Sequence, residues 1–188
     1  MTRSRRSPRA RATDGAGMTR AAARRRDGGR ACRSGAADHP ALNSPAMTQE
    51  ETSALSADLI GGCLCGAVRY VVSAGGIPES GYCHCRTCQR QSGAPVVAWF
   101  AVPPARVCYI KGAPARFRAS DRATREFCAD CGTYLVFRED DTSATVSVNT
   151  ATLDDPSQVP PMFHIYTESR VSWFETADDL PRHPKGRG

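Results

Sequence analysis

The sequence predicts a mainly β domain about 125 residues long, behind a disordered Arg-rich leader. Three observations predict this. From Asp58 onward, short apolar runs alternate with Gly and Pro. Helical periodicity is weak throughout. The first 56 residues contain almost no large apolar side chain.

Residues 1–56 are dense in Arg, Ala, Gly, Ser and Pro and cannot bury enough surface to offset chain entropy, so a disordered leader is expected there. The chain has 188 residues and a formal net charge of +6, with 25 Lys+Arg against 19 Asp+Glu. Eleven Arg precede residue 51, faced by Asp14, Asp27, Asp38 and Glu50. The remainder is near neutral and lacks a basic stripe with interleaved aromatics, so no nucleic acid is expected as partner of the folded part. Three readings of the leader stay open: a basic arm for nucleic acid, a transit peptide, or upstream sequence not normally translated. In the last, the start is Met47, where Met-Thr-Gln-Glu-Glu begins an ordinary composition.

The strands follow in order. Ala67 to Val72 reads as the first, then a turn at Ala74-Gly-Gly-Ile-Pro78. Pro95 to Val102 and Arg106 to Ile110 read as two more, joined at Pro103-Pro104. Ala115 to Ala119, Thr124 to Phe127, Thr133 to Phe137 and Thr145 to Asn149 continue the series. Arg86 to Ser92 and Asp154 to Gln158 read as single helical turns. Trp99, Phe100, Phe117, Phe127, Tyr134 and Phe137 are expected as core aromatics, with Trp173 and Phe174 covering an end of the domain. Residues 57–183 are the expected domain and 184–188 a flexible tail.

The longest apolar stretch, Ala94 to Val102, is interrupted by proline and far short of the roughly 20 residues of a membrane span. With no transmembrane segment and no secretory h-region, a cytoplasmic location is expected, and clustered cysteines read as metal ligands rather than disulfides.

Seven of the nine cysteines fall into three clusters: Cys63-Leu-Cys65, Cys83-His-Cys85-Arg-Thr-Cys88, and Cys128-Ala-Asp-Cys131. Thiolates on a tetrahedral zinc lie roughly 3.7 Å apart, a spacing that C-x-C on a strand and C-x-x-C around a turn both meet. The two pairs, Cys63/Cys65 and Cys128/Cys131, make a closed structural site that contributes folding energy; Gly132 relaxes the knuckle turn. The triplet Cys83, Cys85 and Cys88 leaves an open fourth position, the pattern of a catalytic zinc, unless His84, His164 or a distant side chain completes a second structural site. Two zinc ions per chain follow. His84, between two ligands, points away from the metal. Cys108 reads as a small buried residue, and Glu126 and Asp130 as solvent-facing.

Gly61-Gly-Cys-Leu-Cys-Gly-Ala-Val-Arg-Tyr70, Cys83-His-Cys-Arg-Thr-Cys-Gln-Arg-Gln-Ser-Gly93, Arg125-Glu-Phe-Cys-Ala-Asp-Cys-Gly132, His164-Ile-Tyr, Trp173 and Asp178-Asp-Leu-Pro181 together resemble the glutathione-dependent formaldehyde-activating enzyme family, the centromere protein V/Gfa domain. The resemblance implies an Mss4-like β-sandwich-type fold with structural zinc on Cys63, Cys65, Cys128 and Cys131. It implies a catalytic zinc on Cys83, Cys85 and Cys88. The implied activity is that of a carbon–sulfur lyase or synthase acting on S-hydroxymethylglutathione, with glutathione or another small thiol as co-substrate and an aldehyde as partner. On this view a metal-lowered thiol pKa yields a thiolate that adds to the aldehyde carbon. Arg86, Gln89, Arg90 and Ser92 flank the triplet and are the candidate substrate contacts. Two other classes compete: a non-catalytic zinc module binding a protein or other macromolecule, and a thiol-based redox or metal-handling protein. The neutral body disfavours the first, and ligation of the thiolates the second.

Overall fold

A computed structural model describes residues 54–55, 57–139 and 144–187. Apart from Ala54–Leu55, the expected leader lies outside the described residues. The strands are β1 (Ala54–Leu55), β2 (Leu59–Gly62), β3 (Arg69–Val72), β4 (Gly75–Gly76), β5 (Glu79–Cys83), β6 (Val97–Val102), β7 (Val107–Lys111), β8 (Ala115–Ser120), β9 (Ala123–Phe127), β10 (Tyr134–Glu139), β11 (Val146–Asn149) and β12 (His164–Ile165). One α-helix, α1 (Arg86–Ser92), follows β5. The mainly β expectation is borne out.

Seven strands form one sheet in the order β12-β5-β6-β11-β10-β9-β8, three form a second in the order β2-β3-β7, and β1 pairs with β4. Alternation along the strands divides the large sheet into two faces. Phe100 and Val102 of β6, Val146 and Val148 of β11, and Val136 of β10 meet Leu59, Tyr70 and Val72 of the small sheet in one buried cluster. Burying each large side chain contributes about 1.5–3 kcal/mol. The intervening residues, Val97 and Trp99, Ser147 and Asn149, Ala123 and Arg125, line a cavity on the opposite face.

A bulge in β10 completes that division. Its pairing with β9 slips between Tyr134 and Val136, leaving Leu135 extra. Tyr134 before the slip and Phe137 and Glu139 after it all line the cavity, which an unbroken period of two forbids.

Strand β5 escapes the propensity pattern because Glu-Ser-Gly-Tyr-Cys is poor in β-branched residues. Tertiary packing supplies the reason for its glycine: a Cβ on Gly81 would sit 2.8 Å from the Phe163 carbonyl oxygen. Ser80 donates to the Pro160 carbonyl at 2.7 Å, fixing the segment that leads into β12.

Several side chains depart from expectation. Glu126, read as solvent-facing, is fully buried between the sheets. It accepts from Tyr109 Oη on the small sheet at 2.6 Å, from Arg138 Nε at 2.9 Å and from Arg116 Nε at 3.1 Å. Its charge and the burial hold the Tyr109 phenol well above its ordinary range, burial being the larger cause. Phe117 and Trp173, read as core and cover, are 60% and 76% exposed. Phe117 occupies the edge strand β8, where no third layer covers it. Cys108 on β7 is half-buried rather than buried. Residues 184–187, expected as a tail, are tied in: Tyr166 N–H donates to the Lys185 carbonyl at 3.2 Å, and the Arg187 guanidinium lies 4.4 Å from the Phe163 ring centroid.

Candidate metal and active site

The first cluster forms where the two sheets meet. Cys63 and Cys65 follow β2, and Cys128 and Cys131 lie in the turn from β9 to β10. Sulfur separations are 3.5 Å for Cys63–Cys65 and 3.7 Å for Cys65–Cys128. All four sulfurs lie within 4.8 Å of one another. Gly132 sits at φ 76°, in the left-handed region, which lets the knuckle close with its N–H donating to the Cys128 carbonyl at 2.9 Å. Val68 N–H donates to the Cys63 sulfur at 3.2 Å. The Thr133 hydroxyl accepts from Leu64 N–H at 3.0 Å and lies 3.2 Å from the Cys131 sulfur, whose pKa is lowered to about 5, the Thr133 hydroxyl being the largest cause.

The second cluster is local. Cys83 ends β5, and Cys85 caps α1, its sulfur accepting from Cys88 N–H at 3.3 Å. The three sulfurs of Cys83, Cys85 and Cys88 also lie within 4.8 Å of one another. Hydrogen bonds from Cys83 and then Cys88 draw the Cys85 thiol down to about 2, and the same contact with Cys85 pushes Cys83 up. All-sulfur donor sets at this spacing fit zinc in both places. The seven clustered cysteines are free thiols.

Only the second cluster opens on the cavity, which measures about 600 Å3 and is lined by Cys83, Cys85 and Cys88 but by none of the other four cysteines. The four flanking candidates do not line it. Gln89 is buried and its amide donates to the His84 carbonyl at 2.6 Å and the Ser169 carbonyl at 3.1 Å. Arg86 donates to the Gln89 side-chain oxygen. Ser92 donates to the Cys88 carbonyl at 2.9 Å, and Arg90 is exposed on the helix. Arg125, Tyr134, Trp99 and Asn149 line the cavity together with the thiols. Arg125 and Tyr134 belong to strands read as core, and the bulge that turns Tyr134 toward the cavity has no sequence signal.

A buried polar chain supports the triplet from behind. His84 Nε2 lies 2.8 Å from His164 Nδ1, and His164 Nε2 lies 3.0 Å from Asp178 Oδ1. With Asp178 accepting, His164 carries its proton on Nε2 and His84 donates to it. Burial first, and then the neighbouring His164, hold His84 down to about 4, so it is neutral at pH 7. The chain ties Cys83-His-Cys85 to β12 and to the segment at Asp178. His84 thus turns away from the sulfurs, as its position between ligands requires.

These features define a two-sheet protein with two cysteine clusters able to hold metal ions, one within the scaffold and one facing a cavity. Residues 58–169 match the family model for the glutathione-dependent formaldehyde-activating enzyme, and the chain belongs to that family. Among curated proteins no match was found. A crystal structure of a Rhodobacter sphaeroides protein is similar at 25% identity, covering 54% of this chain and 91% of its own, with a TM-score of 0.42. No helix among the described residues is long and apolar enough to cross a membrane.

Proposed function

We propose that the chain is a zinc-dependent carbon–sulfur lyase or synthase acting on a thiol–aldehyde adduct such as S-hydroxymethylglutathione, with residues 57–183 as the working unit. The observation that carries this reading is the asymmetry of the clusters: the three-cysteine group, unlike the other four cysteines, lines the cavity of about 600 Å3, which is large enough for a small-molecule thiol and an aldehyde. Family membership supports the substrate class.

Zinc held by Cys83, Cys85 and Cys88 would supply an open position at which a thiol loses its proton readily. The chain's own residues do the rest. Cys85 starts α1 and accepts the Cys88 amide, which fixes the two sulfurs over one helical turn. Gln89 locks the Cys83–Cys88 segment through the His84 carbonyl, and the His84–His164–Asp178 chain fixes it from the other side. Trp99, Val97 and Phe137 give the cavity an apolar wall that displaces water from the reacting carbon.

The test is NMR exchange between free and glutathione-bound formaldehyde. Faster exchange with wild-type protein, lost in Cys85→Ser, is the expected result. No acceleration with glutathione or other small thiols would favour the non-catalytic zinc module instead.

A further inference from the structure

Arg125 is buried, 6% exposed, and lines the same cavity as Cys83, Cys85 and Cys88. Among the described residues it has no carboxylate partner. Its Nη1 donates to Tyr134 Oη at 3.0 Å, and its guanidinium lies 5.3 Å from the Tyr134 ring centroid and 4.8 Å from that of Phe137. Nε is enclosed without an acceptor among the described residues. The same sheet shows what a satisfied arginine looks like: on its other face, Arg138 and Arg116 both pair with buried Glu126. Of the acids lining the cavity, Glu79 faces Arg187 at 3.8 Å, Glu139 is exposed at the end of β10, and neither pairs with Arg125.

The Arg125 charge acts on the Cys88 thiol and favours its thiolate, yet the enclosed Nε–H still lacks an acceptor, and an unfilled buried donor is costly unless an oxygen completes it. Two further donors point the same way. Tyr134 accepts from Arg125 and its own O–H has no acceptor among the described residues; burial keeps the phenol protonated. Trp99 Nε1–H, also on the cavity wall, is enclosed without a partner. Arg125, Tyr134 and Trp99, each with an unfilled donor among the described residues, line the same cavity as the three thiols.

We propose that Arg125, held in place by Tyr134, is the subsite for a negatively charged substrate oxygen in the same cavity as the three cysteines. The inference rests on the lyase reading and adds to it a residue that is not a metal-ligand candidate. The charged oxygen is either a carboxylate of the thiol co-substrate or the oxyanion that develops when a thiolate adds to the aldehyde. In the second case the thiolate lone pair forms the C–S bond, the C=O π pair moves to oxygen, and that oxygen takes a proton from water.

Formate is the probe, titrated into the full-length, zinc-loaded protein and followed by the NMR linewidth of 13C-formate. Wild type is expected to bind saturably. Arg125→Met should bind about tenfold more weakly or worse, and Arg125→Lys should fall between them. All three should carry equal zinc and give the same circular dichroism. The subsite is overturned if both variants bind formate like wild type, if wild type does not bind it, or if Arg125→Met stays folded but loses the second metal, which would make Arg125 a counter-charge for the cluster. Should Arg125→Met not fold, Arg125→Lys decides. Kinetics separate the two sources: a raised thiol KM with kcat kept identifies a carboxylate, a lowered kcat with KM kept identifies the oxyanion. Arg125-dependent formate binding without formaldehyde exchange keeps the subsite and sinks the lyase reading. Exchange that is equally fast in Arg125→Met and wild type sinks the subsite alone.

Discussion

Cys65 and Cys128 stand 63 residues apart in sequence and 3.7 Å apart in space, one following β2 of the small sheet and the other following β9 of the large one. Cys83, Cys85 and Cys88, by contrast, come from one strand end and one helical turn of the large sheet. A metal in the first group crosslinks the two layers of the sandwich; a metal in the second crosslinks nothing that the backbone has not already joined. The same ligand chemistry therefore does different work according to the sequence separation it closes.

Breaking the scaffold cluster should have the largest effect. Cys128→Ser leaves three sulfurs at the junction of the sheets, and the full metal-dependent folding energy, of order 10 kcal/mol, is at stake. No cooperative thermal transition should remain by circular dichroism; a native-like melt would break the comparison. Glu126→Gln comes next, because Glu126 accepts from Tyr109 of the small sheet and from Arg138 and Arg116 of its own sheet. Removing its charge leaves Arg138 and Arg116 without a counter-charge and should cost about 1–3 kcal/mol in urea unfolding. Thr133→Val deletes the hydroxyl shared by Leu64 N–H and the Cys131 sulfur, for about 1–2 kcal/mol and faster metal loss to a chelator. Cys85→Ser should have the smallest effect on stability, under about 1 kcal/mol, since serine is itself a good helix N-cap. It should remove one zinc per chain and the exchange activity; a stability loss comparable to that of Cys128→Ser would make the two clusters equivalent.

The cysteine clusters were legible in the sequence because chelation imposes short, fixed spacings on few residues. The strands from Val97 to Asn149 were legible because their apolar and β-branched residues alternate. Strand β5 was not, since Ser80 and Gly81 owe their place to the close pass of Phe163 and Pro160. Glu126 was misjudged for a related reason: a lone acid next to a turn looks solvated until the three donors that bury it arrive from β7, β8 and β10. The rest of the cavity wall escaped for the same cause. Arg125 lies next to Glu126 on alternating faces of one strand, and only the bulge before Val136 turns Tyr134 toward it. The substrate-side candidates picked by nearness in sequence, Arg86, Gln89, Arg90 and Ser92, sit in α1, and none of them lines the cavity; Gln89 reaches out of that helix to the His84 and Ser169 carbonyls.

The division between a scaffold cluster and a cavity-facing cluster is tested most directly by stepwise chelation of the zinc-loaded protein, with released metal and circular dichroism recorded together. Two zinc ions per chain should leave in separate phases, the first from Cys83, Cys85 and Cys88 with the fold intact, the second from the four-cysteine group together with the fold. Release of both ions in one phase that also unfolds the protein, or a content of one zinc per chain, would contradict it.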